Sequence, residues 1–275
     1  MPRSSPISLT LPPFAGSTRR LILINVVVFF GFAIFGWVAP APVALLLGHL
    51  ALVPAAVLRG EFWQLLTYAF LPMGILGTLF AMLTLWFTGS YLEGIFGSRW
   101  LLELYLLSTA GGALLASALT FTHIFGLRPD LVTLGAWAPI FALLVAFAVL
   151  AGDQEIRLYF VIRMKAKYFV AIYILISVAV LLKGDDRFGA LAQLCGALVG
   201  YLYVRFAPRG GLAFGFSERY FGIRNGYYRW KRRRAARKFE VYMRKQNREV
   251  HFDKDGRYVD PDEARRDPND KRWMN

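Results

Sequence analysis

Three long stretches of this chain carry no Asp, Glu, Lys or Arg: those bounded by Arg20 and Arg59, by Glu61 and Glu93, and by Asp130 and Asp153. A helix on the surface of a soluble domain needs a polar face, and several uncharged runs in one short chain leave nothing with which to cover a core. Runs of this length are what a helix needs to cross a hydrocarbon layer of about 30 Å. Composition agrees: 56% of the 275 residues are hydrophobic and 18% charged, a departure from the soluble average toward membrane proteins.

The expected fold class is therefore all-α and polytopic, a bundle of six transmembrane helices followed by a basic cytoplasmic tail. The spans are read at 21–38, 66–87, 100–121, 131–150, 168–182 and 188–204. The first run is longer than a signal-peptide core and lacks a small-residue cleavage site, so it is read as a retained span. Residues 39–60 are apolar but broken by Pro40, Pro42 and Pro54, and are expected to lie in the interface. The fifth span rises only about 22 Å, so its flanking Lys167 and Lys183 are expected to snorkel in a thinned bilayer. Three segments result: a cytoplasmic 1–20, a membrane domain 21–206 and a tail 207–275.

Loop charges give the orientation. Eight Lys and Arg residues (Arg3, Arg19, Arg20, Arg99, Arg157, Arg163, Lys165, Lys167) fall on the side of both termini, against Arg59, Arg128, Lys183 and Arg187 opposite. This bias puts both termini in the cytoplasm. Ten of the fourteen net positive charges lie from Arg205 onward. Within 229–238 the cations are Arg229, Lys231, Arg232, Arg233, Arg234, Arg237 and Lys238, with Phe239, Tyr242 and Met243 at helical spacing. That pattern reads as a basic amphipathic helix on an anionic leaflet, each well-placed cation contributing roughly 1 kcal/mol; nucleic acid is not an expected partner. A single cysteine, Cys195, excludes an intramolecular disulfide and a Cys-based zinc cluster. Asp253-Lys254-Asp255-Gly256 opens like a calcium loop, but Ala264 stands where the twelfth-position ligand belongs, so an exposed turn is expected there. No metal or cofactor is expected.

Several segments, in order and spacing, resemble the rhomboid family across residues 20–205. Gly60-Glu61-Phe62-Trp63-Gln64-Leu65-Leu66-Thr67 is similar to that family's Gly-x-x-Trp-Arg-x-x-Thr entry into span 2, with Gln64 replacing the Arg. Leu92-Glu93 followed by Gly97-Ser98 is similar to the exit from the same span. Tyr105 with Gly111-Gly112 matches span 3, and Gly196-x-x-x-Gly200 matches the close-packed face of span 6. The resemblance implies a scaffold built for intramembrane proteolysis by a Ser-His dyad.

This sequence departs from that chemistry at each position the resemblance singles out. Trp137 stands where the span 4 nucleophile would be, and Gln193 where the span 6 histidine would be. A carboxamide does not accept a proton near neutral pH, so it cannot act as a general base. The span 2 positions that would hold an oxyanion are Pro72, Gly77 and Ala81, none with a side-chain donor. The histidines are His49, His123 and His251, none on the expected catalytic spans.

The functional expectation is a pseudoprotease, not an enzyme, that binds transmembrane client proteins in trafficking or quality control. Its partners are the bilayer, those clients and anionic lipids at the tail. Two alternatives are an active intramembrane serine endopeptidase with a relocated site, and a transport or lipid-remodelling protein. The short tail and plain six-span core suggest a bacterial inner membrane. A buried Trp137 is expected to fill the former site with its N–H bonded to Gln193.

Overall fold

A chain whose apolar runs meet lipid must satisfy its backbone internally, and helices do so within a single segment. The computed structural model describes residues 12–153, 155–158, 162–207, 212–245, 250–252 and 257–259, almost all of them helical. The helices are α1 (Gly16–Val38), α2 (Pro40–Leu50), α3 (Pro54–Leu58), α4 (Gln64–Thr67), α5 (Ile75–Phe96), α6 (Ser98–Thr120), α7 (Trp137–Ala151), α8 (Ala166–Lys183), α9 (Arg187–Phe206) and α10 (Leu212–Lys245). Two short antiparallel hairpins pair β1 (Glu155–Leu158) with β2 (Ile162–Lys165), and β3 (His251–Phe252) with β4 (Tyr258–Val259). Two compact units divide the chain, 1–211 and 212–275.

Among the described residues five helices, α1, α5, α6, α8 and α9, are long and apolar enough to cross a membrane. The sixth expected span is shorter than its apolar run. α7 has 15 residues, about 22 Å of rise, and its lead-in 131–136 is not helical. That lead-in is held by backbone pairing with Leu52 (Leu52 N–H to Thr133 O, 2.9 Å; Thr133 N–H to Leu52 O, 3.0 Å) and with Tyr68 (Gly135 N–H to Tyr68 O, 2.7 Å). Non-helical backbone at this depth is tolerated because protein satisfies it.

The second span also differs from its expected bounds. Residues 64–70 form α4 and a 3-10 turn, and the long helix begins only at Ile75. Pro72 and Gly74 explain the delay: proline disfavours helix at the preceding residue, and Gly74 takes a φ of +89°, open to glycine at little cost. At the other end α5 runs on to Phe96, nine residues past the expected end, because the charge of Glu93 is satisfied. Its carboxylate accepts the N–H groups of Ser17 (2.6 Å) and Thr18 (2.9 Å), the Thr18 hydroxyl (2.6 Å) and the Ser98 hydroxyl. Thus α1, which has no side-chain cap of its own, receives an anionic cap from α5.

Packing centres on α7, which touches α5, α6, α8 and α9, most extensively α9. Glycines set the spacing. A Cβ added at Gly196 would lie inside the Ala138 carbonyl group, and one at Gly200 would lie 2.6 Å from the Ala142 Cα. One added at Gly112 would lie 2.8 Å from the Gly196 Cα. Backbone therefore meets backbone along α6, α7 and α9, the close approach by which helices gain dispersion contact in lipid.

Two measurements test this packing. Gly196→Leu should lower resistance to denaturant in detergent by about 3 kcal/mol, whereas Gly31→Leu, at a position with nothing within 4 Å, should leave it nearly unchanged. Glu93→Ala should cost about 1–3 kcal/mol by stranding the Ser17 and Thr18 donors, and Glu93→Gln less, because one acceptor survives.

Candidate functional site

The residues that the resemblance marks as catalytic positions fall at the start of α5, α7 and the middle of α9. Trp137 is the first residue of α7. Its indole is half-buried, stacked on Tyr173 of α8 (centroids 6.1 Å apart, 29° between planes) and edge-on to Phe141 (6.3 Å, 73°). Tyr173 in turn meets Phe141 and Phe169 at 6.0 and 4.8 Å. Trp137 is thus one ring of a four-ring aromatic cluster between α7 and α8.

Gln193 does not bond the Trp137 indole, contrary to expectation. Its Oε1 accepts the Ser177 hydroxyl of α8 at 2.8 Å, a closer polar partner than a ring already engaged in stacking. The pair cross-links α8 and α9, but a serine beside a carboxamide lacks the base that would activate it. Ser108 donates to the backbone carbonyls of Leu104 and Tyr105 within α6, a local use of a hydroxyl.

Pro72 lies in the turn before α5, Gly77 in its first turn and Ala81, buried, in its second. Nearby, Met73 covers Gly135, whose φ of +102° and missing Cβ leave room for the thioether. A side chain at 135 would occupy the same space as the Met73 sulfur, so the loop above Trp137 is closed by methionine. Cys195 is buried with Tyr68 and Phe188 in the core, with no base beside it.

Sequence reasoning missed what holds this region in shape. Gln64 is fully buried: its Oε1 accepts the Val53 N–H at 2.9 Å, and its Nε2 donates to Glu61 (2.8 Å) and to the His49 carbonyl (3.3 Å). Trp63 donates to the same carbonyl (3.0 Å), and Thr67 to the Leu50 carbonyl (2.7 Å). Trp63, Gln64 and Thr67 therefore stitch residues 49–53 to α4, and Leu52 then pairs with the α7 lead-in. A buried polar group needs such partners, so a Gln inside an apolar stretch was the available signal.

Of the histidines, His49 is exposed at the end of α2, 4.0 Å from Glu61, and His123 follows α6 with a left-handed φ of 55°. Among the described residues no group of three or more His, Cys, Asp or Glu side chains could hold a metal ion.

In the tail, all seven cations named from sequence are exposed on α10. This helix is longer than the basic stretch and takes in Gly215, Gly222 and Gly226. Its apolar stripe is not left bare: Phe239 meets Phe252 of β3 at 6.2 Å. The segment 253–256, expected as an exposed turn, lies outside the described residues.

Comparison with known proteins places this geometry. A family model described as "Eukaryotic integral membrane protein (DUF1751)" matches residues 22–215, the membrane unit almost entire. "Rhomboid-like protein 19" of Arabidopsis thaliana is 28% identical over 166 residues, covering 58% of this chain and 53% of the relative; the chain thus matches about half the length of that protein. Both are eukaryotic, and the expected bacterial inner membrane finds no support in them. A multi-pass helical unit with a rhomboid-like order of motifs, the chain is thus a member of the DUF1751 family of eukaryotic integral membrane proteins.

Proposed function

We propose that this rhomboid-like membrane protein is a pseudoprotease that binds transmembrane segments of client proteins without cutting them. The observation that carries the reading is Trp137 stacked on Tyr173 at the position of the nucleophile. Hydrolysis inside a membrane needs a nucleophile, a base and access for water; this cluster supplies a ring in place of the first, and Gln193 replaces the second. Losses within one catalytic unit do not add, and one missing member of a Ser-His-Asp triad already lowers rate by about 10⁴ or more.

What the scaffold retains is lateral apolar surface. Leu76 and Leu79 on α5 and Ile172, Leu175 and Ile176 on α8 are exposed, and both helices flank α7. A client helix laid against them exchanges lipid contacts for side-chain contacts, the ordinary basis of helix association in a bilayer. The membrane domain spans 21–206, with both termini cytoplasmic and the tail's cations against an anionic leaflet.

Full-length protein in liposomes, mixed with a single-span rhomboid substrate, should give neither cleavage product nor fluorophosphonate label, while a photocrosslinker at Leu175 captures the substrate. A labelled serine with an inhibitor-sensitive product would overturn the reading, as would crosslinking no stronger than that of a polyleucine span. Trp137→Ser should lower stability by about 2 kcal/mol, less than for a fully buried Trp, and should leave cleavage absent. In liposomes of anionic lipid, protection of the 229–238 stretch from trypsin should weaken from low to high salt, and in neutral liposomes it should be absent.

A further inference from the structure

The tail contains a built groove that neither client binding nor the count of cations uses. β3 and β4 place Phe252 directly opposite Tyr258, and Phe252 sits edge-on to Phe239 of α10 (6.2 Å, 88°) and near Tyr258 (6.2 Å, 74°). Between hairpin and helix runs an open groove of about 640 Å³, lined by Ala236, Phe239, Met243, Val250, Phe252 and Tyr258. Its size lies within the range of small-molecule sites, about 300–1,000 Å³. Among the described residues, Arg232 is the one charged residue lining it. Arg232 makes no ion pair among the described residues, whereas Arg244 pairs with Glu240 (3.8 Å) and Arg234 lies over the Trp230 ring.

Two features select the occupant. An unpaired guanidinium beside an apolar floor calls for a ligand with an anionic head and a hydrocarbon body. A peptide in the same place would bring amide groups, and among the described lining side chains only Arg232 and the Tyr258 hydroxyl have a polar group to receive them; each amide buried unpaired costs about 1–3 kcal/mol. An acyl chain brings none.

We propose that the groove between α10 and the β3–β4 hairpin binds an anionic phospholipid, one acyl chain lying along Phe239, Met243 and Phe252 and the headgroup phosphate on Arg232. This rests on the tail facing an anionic leaflet but goes further, because it makes one arginine count for more than its neighbours.

The test uses full-length protein in liposomes containing phosphatidylserine with a photoactivatable acyl chain, or the matching phosphatidylcholine probe, with labelled peptides read by mass spectrometry. The phosphatidylserine probe should label peptides containing Phe239, Met243 or Phe252, and the phosphatidylcholine probe about fivefold less. Arg232→Gln should lower the labelling about fivefold. Lys245→Gln, which removes the same charge from an exposed position of α10 outside both the groove and the 229–238 stretch, should leave it unchanged. Equal losses in the two variants would overturn the groove while leaving a diffuse electrostatic contact intact. Labels confined to the membrane helices would overturn both, and labelling abolished by an acidic amphipathic peptide would assign the groove to a protein partner instead.

Discussion

The approach of α9 to α6 and α7 is the constraint on which the rest of the membrane unit depends. Lipid gives no hydrophobic drive for one helix to leave it for another, so association rests on contact distance and dispersion. Gly112, Gly196 and Gly200 remove the side chains that would hold these helices apart, and Ala138 and Ala142 present the smallest surface to them. Once α9 is seated, Ser177 of α8 reaches Gln193, and the Trp137 end of α7 is fixed against α8. The aromatic cluster and the polar cross-link are thus consequences of a helix spacing set by residues that themselves do no chemistry.

The entry to α7 is the second determinant. A shorter helix preceded by extended backbone leaves groups that only protein can satisfy, and Leu52 and Tyr68 supply the partners. Leu52 is held in turn by the Trp63, Gln64 and Thr67 bonds to residues 49–53. The connection between α1 and α5 therefore acts as a frame for the catalytic-position loop. The bonds of this frame involve neither Trp137 nor Gln193, so the frame stands independently of the side chains at those two positions.

Much of this was legible in the sequence. Charge-free runs located the membrane helices, and the ends of α1, α6, α8 and α9 fall within a few residues of the expected bounds. α5 was misplaced because hydropathy cannot see that Leu66 to Phe70 turn before Pro72, nor that Glu93 has donors waiting on α1. Trp137 and Gln193 were singled out through the rhomboid resemblance. Their partners, Tyr173 and Ser177, were not, since a pattern of positions says nothing about which ring or hydroxyl meets which. The α10 stripe was visible as Phe239 and Met243, but the hairpin packed on it depends on a pairing of two-residue strands too short to leave a periodic signal.

The carboxylate of Glu93 also bears on the order in which the chain is made. The donors it accepts at Ser17 and Thr18 lie 76 and 75 residues earlier in sequence. At roughly 5–20 residues per second of synthesis, α1 emerges about 4–15 s before its cap exists. Until α5 arrives, water or other groups must satisfy those N–H donors, so the capping of α1 is completed by a residue that the ribosome reaches only after three further short helices have passed.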